Sequence, residues 1–364
     1  MGGQADKITI SVTVLLVLTG LVVLYSASAP FSLRHYGSDL SMLLRQAIAA
    51  AVGAAALVVL AMIDYRRIAV LNDLLLAGAF LLTVITILPL GIGDGRWLPL
   101  GPFTFQPTEL LKFSLIIYLA AALARKGDRV RSFKQGVLPF VVVLSLVAAV
   151  VVSQPDLGMV VVLGSVTMGM LFVAGARVAH LAAIVAASLP AVVLAIKIAP
   201  YRLARIVSFL NPGAYRTSSG YQTMQSLIAV GSGGLLGRGL GASRAKLFYL
   251  PQSHNDFVAS IAAEELGLVG MLVVLALLGV LVWRAFAIAE RASDRLGRLL
   301  AFGIGFAIGF QALVNLGVVV GLLPVTGLTL PFFSNGGSSL MVTLAMVGVL
   351  LSVSRNAVGQ GEAR

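Results

Sequence analysis

Residues 299–354 read LLAFGIGFAIGFQALVNLGVVVGLLPVTGLTLPFFSNGGSSLMVTLAMVGVLLSVS and contain no Asp, Glu, Lys or Arg. A helix needs roughly 20 apolar residues to cross a hydrocarbon core about 30 Å thick. The stretch is too long for one crossing and sufficient for two, over 299–322 and 338–354, with the turn 323–337 between them at membrane depth. Polar, glycine-rich backbone at that depth is tolerated only where it is buried in protein or lines a water-filled cavity.

Working outward, the same length criterion gives further spans at 8–29, 43–63, 68–91, 107–125, 136–153, 156–175, 177–197 and 257–283. The expected fold is an all-α polytopic membrane protein of about ten transmembrane helices, one integral membrane domain over residues 1–364. Composition agrees: 59% of residues are hydrophobic, 11% are charged, and the mean hydropathy is +1.01. A soluble domain could not bury that much apolar surface. The segment 8–29 is too long and uninterrupted for a cleaved signal peptide. With no cysteine, disulfide frameworks and thiolate chemistry are excluded. His35, His180 and His254 show no metal-ligand spacing. The net charge of +12 fits basic loops beside anionic lipid, and no motif points to nucleic acid.

Ten spans put both termini on one side. One set of short loops carries Arg66, Arg67, Arg125, Lys126, Arg129, Arg131, Lys134, Arg177, Arg284, Arg291, Arg295, Arg298 and Arg355. The opposite short loops hold little beyond Arg34, Arg45 and Arg96. The positive-inside rule makes the basic set and both termini cytoplasmic. The long connection 198–256 is then external, although it carries Arg202, Arg205, Arg216, Arg238, Arg244 and Lys246 against one acid, Asp256. Such a surface fits either an anionic ligand or a solvated loop with scattered arginines.

Several charges fall where lipid should exclude them. The uncharged run Phe113–Ala124 is too short to cross, so its helix must reach back to about Pro107, placing Glu109 and Lys112 inside the bilayer. At i,i+3 they share a face and can pair, either as a staple between helices or as part of a functional site. Asp156 opens the sixth span, where an acid also suits a helix N-terminus. Asp256 opens the eighth, and Glu264 and Glu265 follow. All six ionisable residues fall at the outer leaflet.

Residues 231–241, GSGGLLGRGLG, hold six glycines. Their backbone can pack closely in an irregular loop, or their amides can cradle phosphate. Beyond them come Ser243, Arg244, Lys246 and Tyr249, then Leu250-Pro251-Gln252-Ser253-His254-Asn255-Asp256. Cations there can neutralise a pyrophosphate leaving group, and Asp256 can accept a proton from a sugar hydroxyl or act as a plain N-cap.

These residues resemble the SEDS family of bacterial cell-wall polymerases, the RodA, FtsW and SpoVE group. The resemblance rests on four stretches in family order across nearly the whole chain. They are Arg96-Trp97 to Gln106-Pro107-Thr108-Glu109-Leu110-Leu111-Lys112, Gln154-Pro155-Asp156-Leu157-Gly158, Gly231–Gly270, and Thr326–Ser339. Departures occur at Thr108, Gln252, Asn255 and Asn335. Tyr221-Gln222 and Asn255-Asp256-Phe257 lean towards the division and sporulation type.

The resemblance implies a peptidoglycan glycosyltransferase that polymerises lipid II at the outer face of the bacterial inner membrane, beside a class B penicillin-binding protein. Asp256 matches the acid regarded as catalytic, and Glu109 with Lys112 a functionally important pair. The expected substrate contacts are Lys246, Arg244, Arg238, Glu109, Lys112, Trp97, Gly233, Gly234 and Ser338. No cofactor is implied with certainty; a divalent cation (Mg or Mn) would be shared with the pyrophosphate. A lipid flippase would instead string its charges along a path across the bilayer, and a non-catalytic scaffold would be indifferent to Asp256.

Overall fold

The computed structural model describes residues 4–88, 93, 95–101, 103–211 and 220–357. Its first helices are α1 (Lys7–Tyr36), α2 (Ser41–Met62), α3 (Tyr65–Val70) and α4 (Asn72–Ile85). A hairpin of β1 (Leu98–Leu100) and β2 (Phe103–Phe105) leads into α5 (Pro107–Lys126). Then come α6 (Leu138–Ser153), α7 (Leu157–Val173), α8 (Val178–Ile198), α9 (Pro200–Leu210) and α10 (Tyr221–Ser232). The last are α11 (Val258–Arg291), α12 (Arg295–Val319) and α13 (Gly337–Arg355).

Among the described residues, α1, α2, α5, α6, α8, α11, α12 and α13 are the eight helices long and apolar enough to cross a membrane, and α4 and α7 are shorter apolar helices. These ten correspond one for one with the predicted spans. The third is shorter than expected: α4 stops at Ile85, whereas the apolar pattern runs to residue 91, and residues 89–91 lie outside the described ones. Its end is capped from a neighbouring element, because the Gln154 amide donates to Thr83 O and Thr86 Oγ1. A carbonyl satisfied this way no longer needs another helical turn.

Burial separates the helices by role. Most of α5 is buried, and it packs against α4, α12, α7 and α13, so it is the core helix of the bundle. By contrast α8, apolar apart from His180, Ser188 and Lys197, buries no residue, as expected of a helix solvated by lipid. The predicted turn at membrane depth is buried in protein: Leu330, Phe332 and Phe333 are core residues. It lies so close to α1 that a Cβ on Gly20 would overlap the Phe332 carbonyl.

Helix α11 is broken at Gly267, whose φ of +67° and ψ of −170° are essentially glycine-only. The glycine-rich segment docks on that break. The Arg238 and Gly239 amides donate to Glu264 O and Glu265 O, and the Leu268 and Val269 amides donate to Gly234 O and Leu235 O. A Cβ on Gly237 would overlap the Glu265 carbonyl, and one on Gly233 the Ala263 carbonyl. Gly231 itself lies inside α10. The glycines therefore serve close backbone packing, and the Gly233, Gly237, Arg238 and Gly239 amides already have carbonyl partners. Of the two readings open for this segment, close packing is the one these contacts serve, and the Gly233 amide is engaged with Val230 O.

The bundle has two chemically different ends. At one, Arg284 pairs with Asp6 at 2.6 Å, Arg66 with Asp294 at 2.8 Å, and the Tyr65 amide donates to Ser352. The basic loop residues gather there. The other end holds the start of α5, α7, α11 and α13, and with them the embedded charges.

Candidate active site

The site is built around the start of α5. Lys112 donates to Glu109 Oε2 at 2.6 Å and to Gln311 Oε1 at 2.6 Å. The two charged residues are 1% and 2% exposed. Gln311, on α12, then donates to Thr329 O at 3.0 Å and Thr329 Oγ1 at 3.1 Å, and Thr329 meets Ser339 at 3.2 Å. One hydrogen-bonded chain therefore joins α5, α12, the buried turn and α13. Each side chain in it has a polar partner, which is what allows an ion pair at this depth.

Asp156 is the second acid. It caps α7 by accepting from the Met159 amide at 3.0 Å, so the N-terminal reading of this residue holds. Arg96 Nη1 lies 3.7 Å from its carboxylate, while Arg96 Nε donates to Gln154 O at 2.6 Å and Nη2 donates to Pro155 O.

Asp256 differs from every other acid singled out in the sequence. The N-cap of α11 is Phe257, not Asp256. Asn315 Nδ2 donates to the Asp256 backbone carbonyl at 2.8 Å and to Leu328 O at 2.7 Å, fixing this residue to α12 and the buried turn. Its carboxylate has no hydrogen bond or ion pair to any described residue, and the residue is half-buried. Gly327 faces it, with room for a Cβ 3.6 Å from Asp256 Oδ2. Burial raises the Asp256 carboxyl to about 6, with Arg205 and Arg96 opposing and Asp156 reinforcing.

Among the described residues, Arg205 and Arg96 are the cations whose charge acts on that carboxylate. Arg205 lies on α9, stacks loosely on Tyr201, and donates Nη1 to Val325 O at 3.3 Å, the one hydrogen bond of its side chain among the described residues. Around them, Thr108 Oγ1, Gln154 Oε1 and Asn315 Oδ1 are buried with no partner in the described protein, leaving polar walls for water or substrate groups to complete.

The fold also places the other cations and contacts expected from the sequence. Lys246 pairs with Glu265 at 2.8 Å and is 7% exposed; Arg238 pairs with Glu264 at 3.2 Å. Their charges are spent on carboxylates within the protein. Arg244 is exposed and has no ion pair among the described residues. Ser338 accepts from the Gln106 amide at 2.9 Å and donates to Thr104 O at 3.3 Å, joining α13 to the hairpin. Trp97 is half-buried in the bridge leading into that hairpin, and Gly234 leaves open space where a side chain would stand. Arg216 lies outside the described residues. Arg205 carried no local signal: six basic residues in the same connection looked alike until the fold paired Arg238 and Lys246 with Glu264 and Glu265 and brought the charge of Arg205 to bear on Asp256.

The fold and site define a multi-pass helical membrane protein in which, among the described residues, the Asp256 carboxylate has no side-chain partner and feels the charges of Arg96 and Arg205. The family model described as a cell cycle protein, that of FtsW, RodA and SpoVE, matches residues 6–358. A probable peptidoglycan glycosyltransferase FtsW of Geobacter metallireducens is 41% identical over 97% of this chain and 96% of its own. Stage V sporulation protein E of Bacillus subtilis is 41% identical over 96% and 97% of the two chains. Among solved structures, a chain of a peptidoglycan synthase complex that coordinates polymerization and crosslinking matches with TM-score 0.78 and 31% identity, covering 97% of this chain and 98% of that one. The rod shape determining protein RodA of Thermus thermophilus matches with TM-score 0.72 and 31% identity, covering 98% of each. The chain belongs to the FtsW, RodA and SpoVE family.

The buried pair makes a stability prediction. Glu109→Gln leaves the Lys112 ammonium without a counter-charge and should cost about 3–5 kcal/mol. Glu109→Gln combined with Lys112→Met removes both charges and should recover most of that loss. Thermal unfolding of the purified variants in detergent measures it; equal destabilisation by the single and double changes would show that the pair is not the source.

Proposed function

We propose that this protein is a peptidoglycan glycosyltransferase that polymerises lipid II at the outer leaflet, with Asp256 as general base. The observation that carries the reading is the Asp256 carboxylate, which has no hydrogen bond or ion pair among the described residues, whereas Glu109, Asp156, Glu264 and Glu265 are all engaged. An acid with no structural partner, raised towards neutrality by burial, is suited to taking a proton. The basic loops at the opposite end support an external position for the site by the positive-inside rule.

In the reaction, Asp256 takes the proton of the acceptor sugar hydroxyl as that oxygen attacks the anomeric carbon of the donor. The new glycosidic bond forms with inversion as the bond from the anomeric carbon to the diphosphate breaks. Polyprenyl diphosphate leaves, and its growing charge is met by Arg96 and Arg205, whose guanidinium donors are fixed before reaction. The polyprenyl tail stays in an apolar groove between helices. Among the described residues no three carboxylate, histidine or cysteine side chains gather as a cation site, so a divalent cation arriving with the diphosphate would be held largely by phosphate oxygens. The likeness to a chain of a peptidoglycan synthase complex supports a working partnership with a class B penicillin-binding protein, which would supply transpeptidation.

Three outcomes test this. Asp256→Ala should lower polymer formation from purified lipid II by about 10²–10⁴-fold, read on gels, with the protein still monodisperse; undiminished polymer would refute the role. The base must be ionised to work, so the rate should rise with pH through about 6, the value to which burial raises Asp256. A pH–rate profile flat down to the ordinary aspartate range near 4 would contradict that. Arg205→Leu should lower kcat/KM by about 10²-fold, whereas Arg244→Leu should leave it within about twofold; the reverse ranking would return the diphosphate to the cations of the 238–246 segment.

A further inference from the structure

Lys246 is a buried cation that the reaction described above does not use. Its ammonium donates to Glu265 Oε1 at 2.8 Å and to Ser26 Oγ at 2.9 Å. Ser26 donates to the same Glu265 oxygen at 2.7 Å, and the Ser243 amide reaches it at 3.2 Å. One carboxylate oxygen therefore binds together α1, the outer arm of α11 and the loop between α10 and α11. The neighbouring Glu264 secures that loop further: it accepts from the Ser243 hydroxyl at 2.5 Å, the Arg244 amide at 3.1 Å and the Ala245 amide at 3.2 Å.

From this anchor the chain runs to Asp256 through consecutive tight turns. The Leu250 amide donates to Ala245 O, and the Asn255 and Phe257 amides donate to Gln252 O. Two non-glycine residues on the way, Phe248 and Gln252, hold left-handed backbone at φ +66° and +57°. Such conformations persist only where the surroundings impose them. The Phe248 ring is half exposed and meets the Arg34 guanidinium at 4.8 Å. The constraint is spread along the loop: the Lys246–Glu265–Ser26 clamp at its start, the His254 ring against Phe31 of α1 and its carbonyl accepting from the Asn335 amide further on, and Asn315 holding the Asp256 carbonyl at the finish.

We propose that Lys246 is a positioning residue for glycosyl transfer: clamped to Glu265 and Ser26, it fixes the start of the 246–257 loop against α1 and thereby sets the aim of the Asp256 carboxylate. It does not hold the diphosphate. This rests on the glycosyltransferase reading, but it concerns how the base is aimed and makes a separate structural claim.

The test compares wild type, Lys246→Met, and Lys246→Met with Glu265→Gln, the last leaving no lone buried charge if the single variant folds poorly. Each purified protein is assayed for lipid II polymerisation, for binding of undecaprenyl diphosphate, and for amide hydrogen exchange over 243–257. Positioning requires kcat to fall at least tenfold with KM and the undecaprenyl diphosphate Kd within about twofold of wild type, faster exchange at the Ser243, Arg244 and Ala245 amides, and a double variant no worse than the single. A tenfold rise in KM and Kd with unaltered exchange would overturn the proposal and make Lys246 a diphosphate ligand. If wild type itself forms no polymer, the glycosyltransferase reading fails, and exchange still decides the positioning claim: unchanged protection in Lys246→Met refutes it.

Discussion

A lysine ammonium held between a glutamate and a glutamine, in the interior of an apolar bundle, is the constraint on which the rest of this structure depends. An ion at membrane depth is tolerated only where partners meet it on the protein side, so Glu109 and Lys112 cannot face lipid. Their helix must be the core helix, and the helix that brings Gln311 must lie against it. Gln311 then reaches Thr329, and Thr329 reaches Ser339, so the pair also fixes the buried turn and the start of α13. That turn faces Asp256. Four residues upstream of Thr329, Val325 accepts from Arg205. The chain of contacts thus runs from an ion pair that stabilises helix packing to the two groups that would carry the reaction.

Against that background the freedom of Asp256 has meaning. A carboxylate in a crevice this polar would ordinarily find an amide or a cation, as Asp156 finds the Met159 amide and Arg96. Asp256 is held by its backbone carbonyl instead, which leaves the side chain unspent while its position is fixed. Partial burial without a hydrogen bond destabilises the charged form, and this is the condition for a base that works near neutral pH.

The architecture was legible in the sequence wherever it follows from length and charge. Every span that hydropathy marked has a helix, and residues 323–337 turn inside the protein as a charge-free stretch too long for one crossing requires. Glu109 and Lys112 declared themselves because the uncharged part of their helix was too short. The cations were less legible. Lys246 and Arg238 looked like phosphate ligands from their proximity in sequence to Asp256, but Glu264 and Glu265 are closer to them in space and take their charges. The glycines fitted either backbone packing or anion binding, because both use the same residue; the break at Gly267, on which they dock, has no mark in the sequence beyond one more glycine in a helix. Arg205 became a candidate through tertiary placement alone.

The most direct test of the central claim is an experimental structure of the protein with undecaprenyl diphosphate bound. The diphosphate oxygens are expected within about 3 Å of Arg96 and Arg205 guanidinium donors, with the Asp256 carboxylate facing the open chamber beside them and Lys112 still held by Glu109 and Gln311. A diphosphate seated on Arg244 or Lys246, or an Asp256 side chain sealed from the bound headgroup, would contradict it.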